Sequence, residues 1–180
     1  MCIIGALRNL FWRLAGLGVL LATSAEVSPA IAQQVVFSMT SGSGAPGTSV
    51  PLTLSMAVTG GAQPTSLQWT MSYPANITGV TVAGGPKTTS CSSGSGSTTC
   101  VMYDLSTNVI PSGSVGSATF TISPGSAPGN VPITVTGVLA SDALGNPISS
   151  SGTGATLTVV QPTLLAPSSL SCSPSNVNAP

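Results

Sequence analysis

Histidine is absent from the chain and charge nearly so: its 180 residues include three Lys or Arg and three Asp or Glu, for a net formal charge of zero and a charged fraction of 3%. About a quarter is usual. Each shortage removes a class of function. General acid–base catalysis draws on histidine most often, and without it neither a Ser-His-Asp nor a Cys-His arrangement can be assembled within the chain. Nucleic-acid binding needs a patch of Lys and Arg to displace counterions from phosphates, and three basic residues, two of them at Arg8 and Arg13, cannot build one. No nucleic-acid partner is expected. A long apolar stretch is missing too. The run Leu14 to Ala22 falls far short of the about 20 residues that a spanning helix needs, and nothing later is long or apolar enough.

What remains points to a folded, exported β protein. Hydrophobic residues make up 42% and mean hydropathy is +0.49, which is incompatible with disorder of the usual low-hydrophobicity, high-charge kind. The 21 Gly, 15 Pro, 29 Ser and 22 Thr are a composition of turns and of strands with hydroxyl-lined outer faces. At the N-terminus, Arg8 and Arg13 precede the apolar run, and Ala30-Ile31-Ala32 offers a small-residue cleavage site before Gln33. That order is a secretory signal peptide over residues 1–32. Its removal leaves one base, Lys87, two acids, Asp104 and Asp142, and no membrane span. Cys2 lies ahead of the apolar run, where lipid attachment does not occur, and is incidental to the signal. The expected location is secreted, extracellular or at the cell surface of a bacterium.

Strands are legible by alternation. Val50, Leu52, Leu54, Met56 and Val58 alternate with polar or small residues, as do Leu67, Trp69, Met71 and Tyr73. Ala118, Phe120 and Ile122, then Val131, Ile133 and Val135, then Ala155, Leu157 and Val159 repeat the pattern. A period of two is the mark of a strand that buries one face. Weaker candidates lie at 35–38, 77–82, 88–91 and 101–105, making about nine short strands. Turn clusters separate them, among them Gly42 to Gly47, Gly60-Gly61, Gly84-Gly85-Pro86, Ser123-Pro124-Gly125 and Leu144 to Pro147. No helical stretch intervenes after the signal, so parallel βαβ units are not expected. A two-sheet sandwich over residues 33–160 gives every strand a place for its apolar face. Residues 161–180 break the pattern. Pro162 and Pro167 mark a linker, and Ser169-Leu170-Ser171-Cys172 reads as a strand beginning without a partner. The tail resembles the opening of a bacterial Ig-like surface repeat, the start of a truncated module, although a short disordered C-terminus is the alternative.

Export makes a disulfide the default for cysteines. Cys91 and Cys100 flank Ser92 to Thr99, a Gly/Ser/Thr spacer whose flexibility would let them meet, and they are the expected pair; Cys172 is left over. That spacer, without histidine, suits neither zinc nor a C-x-x-C redox pair. Asp104 and Asp142 are the only carboxyl pair available for glycoside hydrolysis. Asp104 sits at a strand end after Tyr103, and Asp142 opens a turn-like stretch in which an Asp caps its own backbone. Asp142 with Asn146 is at best a fragment of a calcium site. Gly94-Ser95-Gly96 lacks the Lys and following helix of a phosphate loop. Asn76-Ile77-Thr78 fits the short N-glycosylation pattern. The expected protein is not an enzyme and calls for no metal and no cofactor.

Taken in order, Gly47 to Leu54, Leu67 to Tyr73, Gly116 to Ile122, Val138 to Ile148 and Gly154 to Val159 resemble a bacterial cohesin domain, and the likeness runs over about residues 35–160. The resemblance implies a nine-stranded jelly-roll β-sandwich, related to carbohydrate-binding modules, that holds the dockerin module of a polysaccharide-degrading enzyme. It also implies a non-catalytic role. Two departures stand out: Pro74 follows Tyr73 where the family continues with Asp, and Gln68 precedes Trp69 where dockerin-binding members often carry an acid. Both remove charge, and neutral hydrogen bonds are roughly half as strong as charge-assisted ones. Ser66 and Gln68 are the candidate partner contacts, the alternative being an ordinary solvated face. Two other roles stay open: direct binding of a polysaccharide, and a structural spacer in a surface or adhesion protein. Sugar binding usually relies on exposed aromatic platforms, and alternation assigns Trp69, Tyr73 and Phe120 to the core; a hydroxyl- and amide-lined groove for a soluble glycan is not excluded.

Overall fold

The computed structural model describes residues 34–161; the expected signal peptide, the expected C-terminal linker and Ig-like opening beyond residue 161, and Cys172 lie outside the described residues. Eleven strand segments and no helix make up the described part: β1 (Gln34–Met39), β2 (Gly42–Gly44), β3 (Ser49–Thr59), β4 (Ser66–Ser72), β5 (Ile77–Ala83), β6 (Thr88–Gly94), β7 (Ser97–Tyr103), β8 (Gly113–Ile122), β9 (Gly129–Ser141), β10 (Pro147–Thr153) and β11 (Ala155–Val159). They form two layers, β5-β8-β3-β1 and β6-β7-β4-β9, joined through β10. β10 runs parallel to β1, with Gln34 opposite Ser149, and its first residues pair antiparallel with the end of β9. β11 then pairs antiparallel with the first half of β9 and parallel with β2. Thus β1–β2 and β10–β11 are each one strand broken where it passes between layers. Counting each of these once leaves the nine strands of a jelly roll.

The breaks have local causes. Gly154 joins β10 to β11, and a Cβ there would collide with the carbonyl oxygen of Ile133, so only glycine lets the strand pass this close to β9. Between β1 and β2, Thr40 donates its N–H to the Thr53 carbonyl and accepts the Thr53 N–H at its Oγ1. Ser41 Oγ accepts the Thr156 N–H, tying the second break to the first. The expected turn over Gly42–Gly47 is therefore shorter: Gly42–Gly44 are extended in β2, and the turn closes from the Thr48 N–H to the Ala45 carbonyl.

The alternating residues meet between the layers. Leu52, Leu54, Leu67, Trp69, Met71, Phe120, Ile122 and Leu157 are all buried, each stabilising the fold by about 1.5–3 kcal/mol relative to exposure. Phe37 stacks on Trp69 with ring centroids 5.0 Å apart, and Tyr73 meets the Phe120 ring edge-on at 6.0 Å while its hydroxyl bonds Thr98 Oγ1. The core assignment of Trp69, Tyr73 and Phe120 holds, although Tyr73 is half-buried.

Two segments differ from the sequence reading. Ser92–Thr99 is not a loose spacer. β6 and β7 form a hairpin turning at Ser95-Gly96, where Gly96 has φ +72°, so the strand expected at 101–105 begins at Ser97 and ends at Tyr103. Alternating Ser and Thr carry no hydrophobic period, which is why the pairing was invisible. β9 also extends beyond the alternation that ends at Val135. Gly137, at φ +59°, inserts an extra residue: Gln68 and Thr70 of β4 face Leu139 and Thr136. Such a bulge shifts the phase by one. Val138 and Ala140 then point inward and Leu139 outward.

Candidate docking face

The outer surface of β6-β7-β4-β9 collects the residues singled out from the sequence. Ser66, Gln68, Thr70 and Ser72 alternate with the buried residues of β4 and so line its outer side, half-buried. Val101 and Leu139 flank Gln68 in register, Thr99 and Thr136 flank Thr70, and Ser141 lies opposite Ser66. Ser66 Oγ and Ser141 Oγ are 2.6 Å apart, and Thr70 Oγ1 and Thr99 Oγ1 2.9 Å apart, so each pair shares one hydrogen bond. The Gln68 amide has no such partner among the described residues. Ser66 and Gln68 thus share one site. It is a shallow cleft of about 320 Å³, lined also by Val101, Leu139, Gly145 and Pro147.

Leu139 is the residue that sequence reasoning missed. It is 61% exposed in mid-strand, beside a glutamine. The readable signal was Gly137 inside a Val/Thr alternation, since an isolated glycine in a strand marks a bulge. Tyr103, Leu105 and Leu144 are also exposed, at the end of β7, just after it, and in the turn following β9. A larger hollow of about 360 Å³ lies where β10 passes into β11, but its lining of Ser41, Ile133, Thr134, Val135, Gly154 and Thr156 includes none of the exposed large apolar side chains.

The carboxylates are engaged in local structure. Asp104 Oδ1 accepts from Lys87 Nζ at 2.9 Å and from the Ser106 N–H and hydroxyl at 2.9 and 2.8 Å. The Lys87 hydrogen bond, then that of Ser106, holds its carboxyl below the ordinary value of 3.8. Asp142 caps the turn as expected: Oδ1 accepts the N–H groups of Leu144 and Asn146, and Oδ2 accepts Asn146 Nδ2. The Asn146 side chain, then its backbone, holds this carboxyl low as well. A general acid needs a raised pKa, so both groups are tuned away from that role. Among the described residues no three of His, Cys, Asp or Glu gather to hold a metal ion. Nor is any helix there long and apolar enough to cross a membrane.

Cys91 and Cys100 are disulfide-bonded, as expected, but their meeting owes nothing to looseness: they face each other directly in the β6–β7 ladder with Cα atoms 4.1 Å apart. Cys100 is buried and Cys91 lies on the exposed edge strand.

Two antiparallel layers closed by a parallel pairing of the first and last strands define a jelly-roll sandwich. More particularly, the chain has the cohesin fold. Among solved structures it is similar to the seventh ScaB type I cohesin of Pseudobacteroides cellulosolvens, with 15% identity over 78% of this chain and 99% of that one and a TM-score of 0.60. It is similar also to the Coh-OlpA–Doc918 cohesin–dockerin complex of Clostridium thermocellum, at 10% identity over 71% and 99% with a TM-score of 0.59. A third likeness is to a non-cellulosomal cohesin of the archaeon Archaeoglobus fulgidus, at 15% identity over 72% and 94% with a TM-score of 0.58. No protein-family model matches the chain, and no curated protein sequence does.

Proposed function

We propose that this protein is an exported, non-catalytic module that binds a dockerin-type partner through the outer face of β6-β7-β4-β9, within extracellular polysaccharide-processing machinery. The observation that carries the reading is the apolar lining of one cleft, exposed Leu139 with Val101 and Pro147, around Ser66 and Gln68 on a face where no charged residue lies on any of the four strands. A contiguous apolar patch rimmed by polar groups marks an interaction site. The dockerin seen on the Clostridium thermocellum cohesin supports the choice of partner class. Binding of crystalline polysaccharide is the weaker reading, because among the described residues Phe37, Trp69 and Phe120 are buried and Tyr103 is the one exposed aromatic, too little for a flat strip.

The test is affinity capture from the source organism's secretome with the intact chain and with Leu139→Asp, run beside a glycan array. Recovery of dockerin-bearing enzymes by the parent and at least tenfold less by the variant is the expected result, since a central interface residue costs more than about 1.4 kcal/mol when disrupted. Binding on the array with no dockerin recovered would replace this reading with the carbohydrate one, and silence in both would leave a spacer.

A further inference from the structure

The docking face differs from an ordinary polar surface in what it lacks. Among the described residues only Lys87, Asp104 and Asp142 are charged, and none of them lies on β4, β6, β7 or β9. Lys87 and Asp104 neutralise each other, and Asp104 takes two further hydrogen bonds from Ser106. Asp142, in the turn whose Gly145 borders the cleft, accepts three hydrogen bonds within that turn. The hydroxyls nearest the cleft are bonded in pairs, Ser66 with Ser141 and Thr70 with Thr99, which leaves one O–H free in each pair. What the cleft offers is the Leu139 and Val101 side chains, the Pro147 ring, the Gln68 amide and the one hydroxyl proton that Ser66 and Ser141 leave unshared.

A partner charge brought here would be stripped of water without a counter-charge, and an uncompensated buried charge is among the most costly features an interface can carry. An aliphatic side chain meets apolar walls and loses nothing. We infer that the partner seats one uncharged aliphatic side chain in the cleft beside Leu139, presents at most one amide or hydroxyl to Gln68, and brings no charged group into the cleft itself. Binding is then insensitive to salt, and the module selects against dockerin-type partners whose docking helices are charged. The inference rests on the dockerin reading and adds to it the chemistry of the recognised surface.

The experiment is selection from a display library of dockerin-fold modules randomised at the exposed helix positions, with the full chain as bait. Selected binders are measured by calorimetry at about 50 mM and about 500 mM NaCl, a range over which the screening length falls severalfold. Enrichment of Leu, Ile, Val or Met with uncharged neighbours is expected, with affinity changing less than about twofold across that range. Leu139→Ser should weaken binding at least tenfold with its thermal midpoint unchanged, because the side chain is already 61% exposed. Thr81→Ala, on the exposed side of β5 in the other layer, should have no effect. Binders rich in Lys, Arg, Asp or Glu, a tenfold loss with salt, or indifference to Leu139→Ser would each overturn the inference while leaving the dockerin reading in place. Recovery of no dockerin-fold binder at all would remove both.

Discussion

Opening the Cys91–Cys100 bridge should loosen one strand before it weakens the whole sandwich. In β6 only Thr89 is even half-buried, so this strand contributes almost no apolar burial. It is held by its ladder to β7 and by the disulfide to Cys100, which is fully buried. The two cysteines are 9 residues apart, and closing a loop of that size restricts the unfolded chain by about 2.6 kcal/mol in the loop-entropy model. With a urea dependence of about 1–3 kcal/mol per molar, the midpoint should fall by roughly 1–2.6 M. The assay is urea unfolding of the processed chain followed by Trp69 fluorescence, with and without a phosphine reductant, alongside hydrogen exchange of the β6 peptide. Reduction keeps both sulfur atoms in place, so it reports the cross-link alone; a Cys91→Ala/Cys100→Ala chain should lose about 1 kcal/mol more for the space left in the core. A stability change under about 0.5 kcal/mol, or unaltered exchange in β6, would refute the argument that the bridge holds a strand packing cannot hold.

Three further outcomes follow from the geometry. Gly154→Ala should lower stability by about 1–3 kcal/mol, because its Cβ would collide with the Ile133 carbonyl and neither backbone can yield cheaply; a thermal midpoint within a degree of the parent would contradict it. Gly137→Ala should cost about 1–2 kcal/mol for its left-handed backbone alone, since its Cβ would meet only Thr70 Oγ1 at an ordinary 3.6 Å, and Gly137→Asn should recover part of that loss; equal stability of all three chains would show that the bulge is not under conformational constraint. Stability should be flat between about pH 5 and pH 8, for there is no histidine to titrate. Below that it should decline: Asp104 and Asp142 have folded-state pKa values depressed below 3.8, so their contribution is present above that value and is lost as pH falls through the lower, folded one. Denaturant midpoints across pH 2–8 check this, and a step near pH 6 would be inconsistent with it.

How far the fold was legible depended on how strongly each strand was one-sided. β3, β4, β8 and β11 alternate cleanly between apolar and hydroxyl residues, and each forms where that pattern lies. β6 and the first half of β7 do not, since Ser, Thr and Gly look alike on both faces; only pairing across the hairpin makes them strands. β2 and β10 owe their existence to partners distant in the chain, the first strand lying parallel to the last. Of the site, Ser66 and Gln68 were found on the outer side of β4 by alternation and by resemblance, whereas Leu139 was hidden by the one-residue shift at Gly137.

Composition by itself determined that no histidine-based acid–base arrangement can be assembled within the chain, because the residue is missing whatever the fold. Alternation determined which side chains go inward, because a period of two is local to each strand. Which outward residues stand side by side was decided only by tertiary structure. Register across β7, β4 and β9, offset by a single left-handed glycine, set Val101, Gln68 and Leu139 in one row, and such neighbours come from pairings about 30 to 70 residues apart that no local pattern encodes.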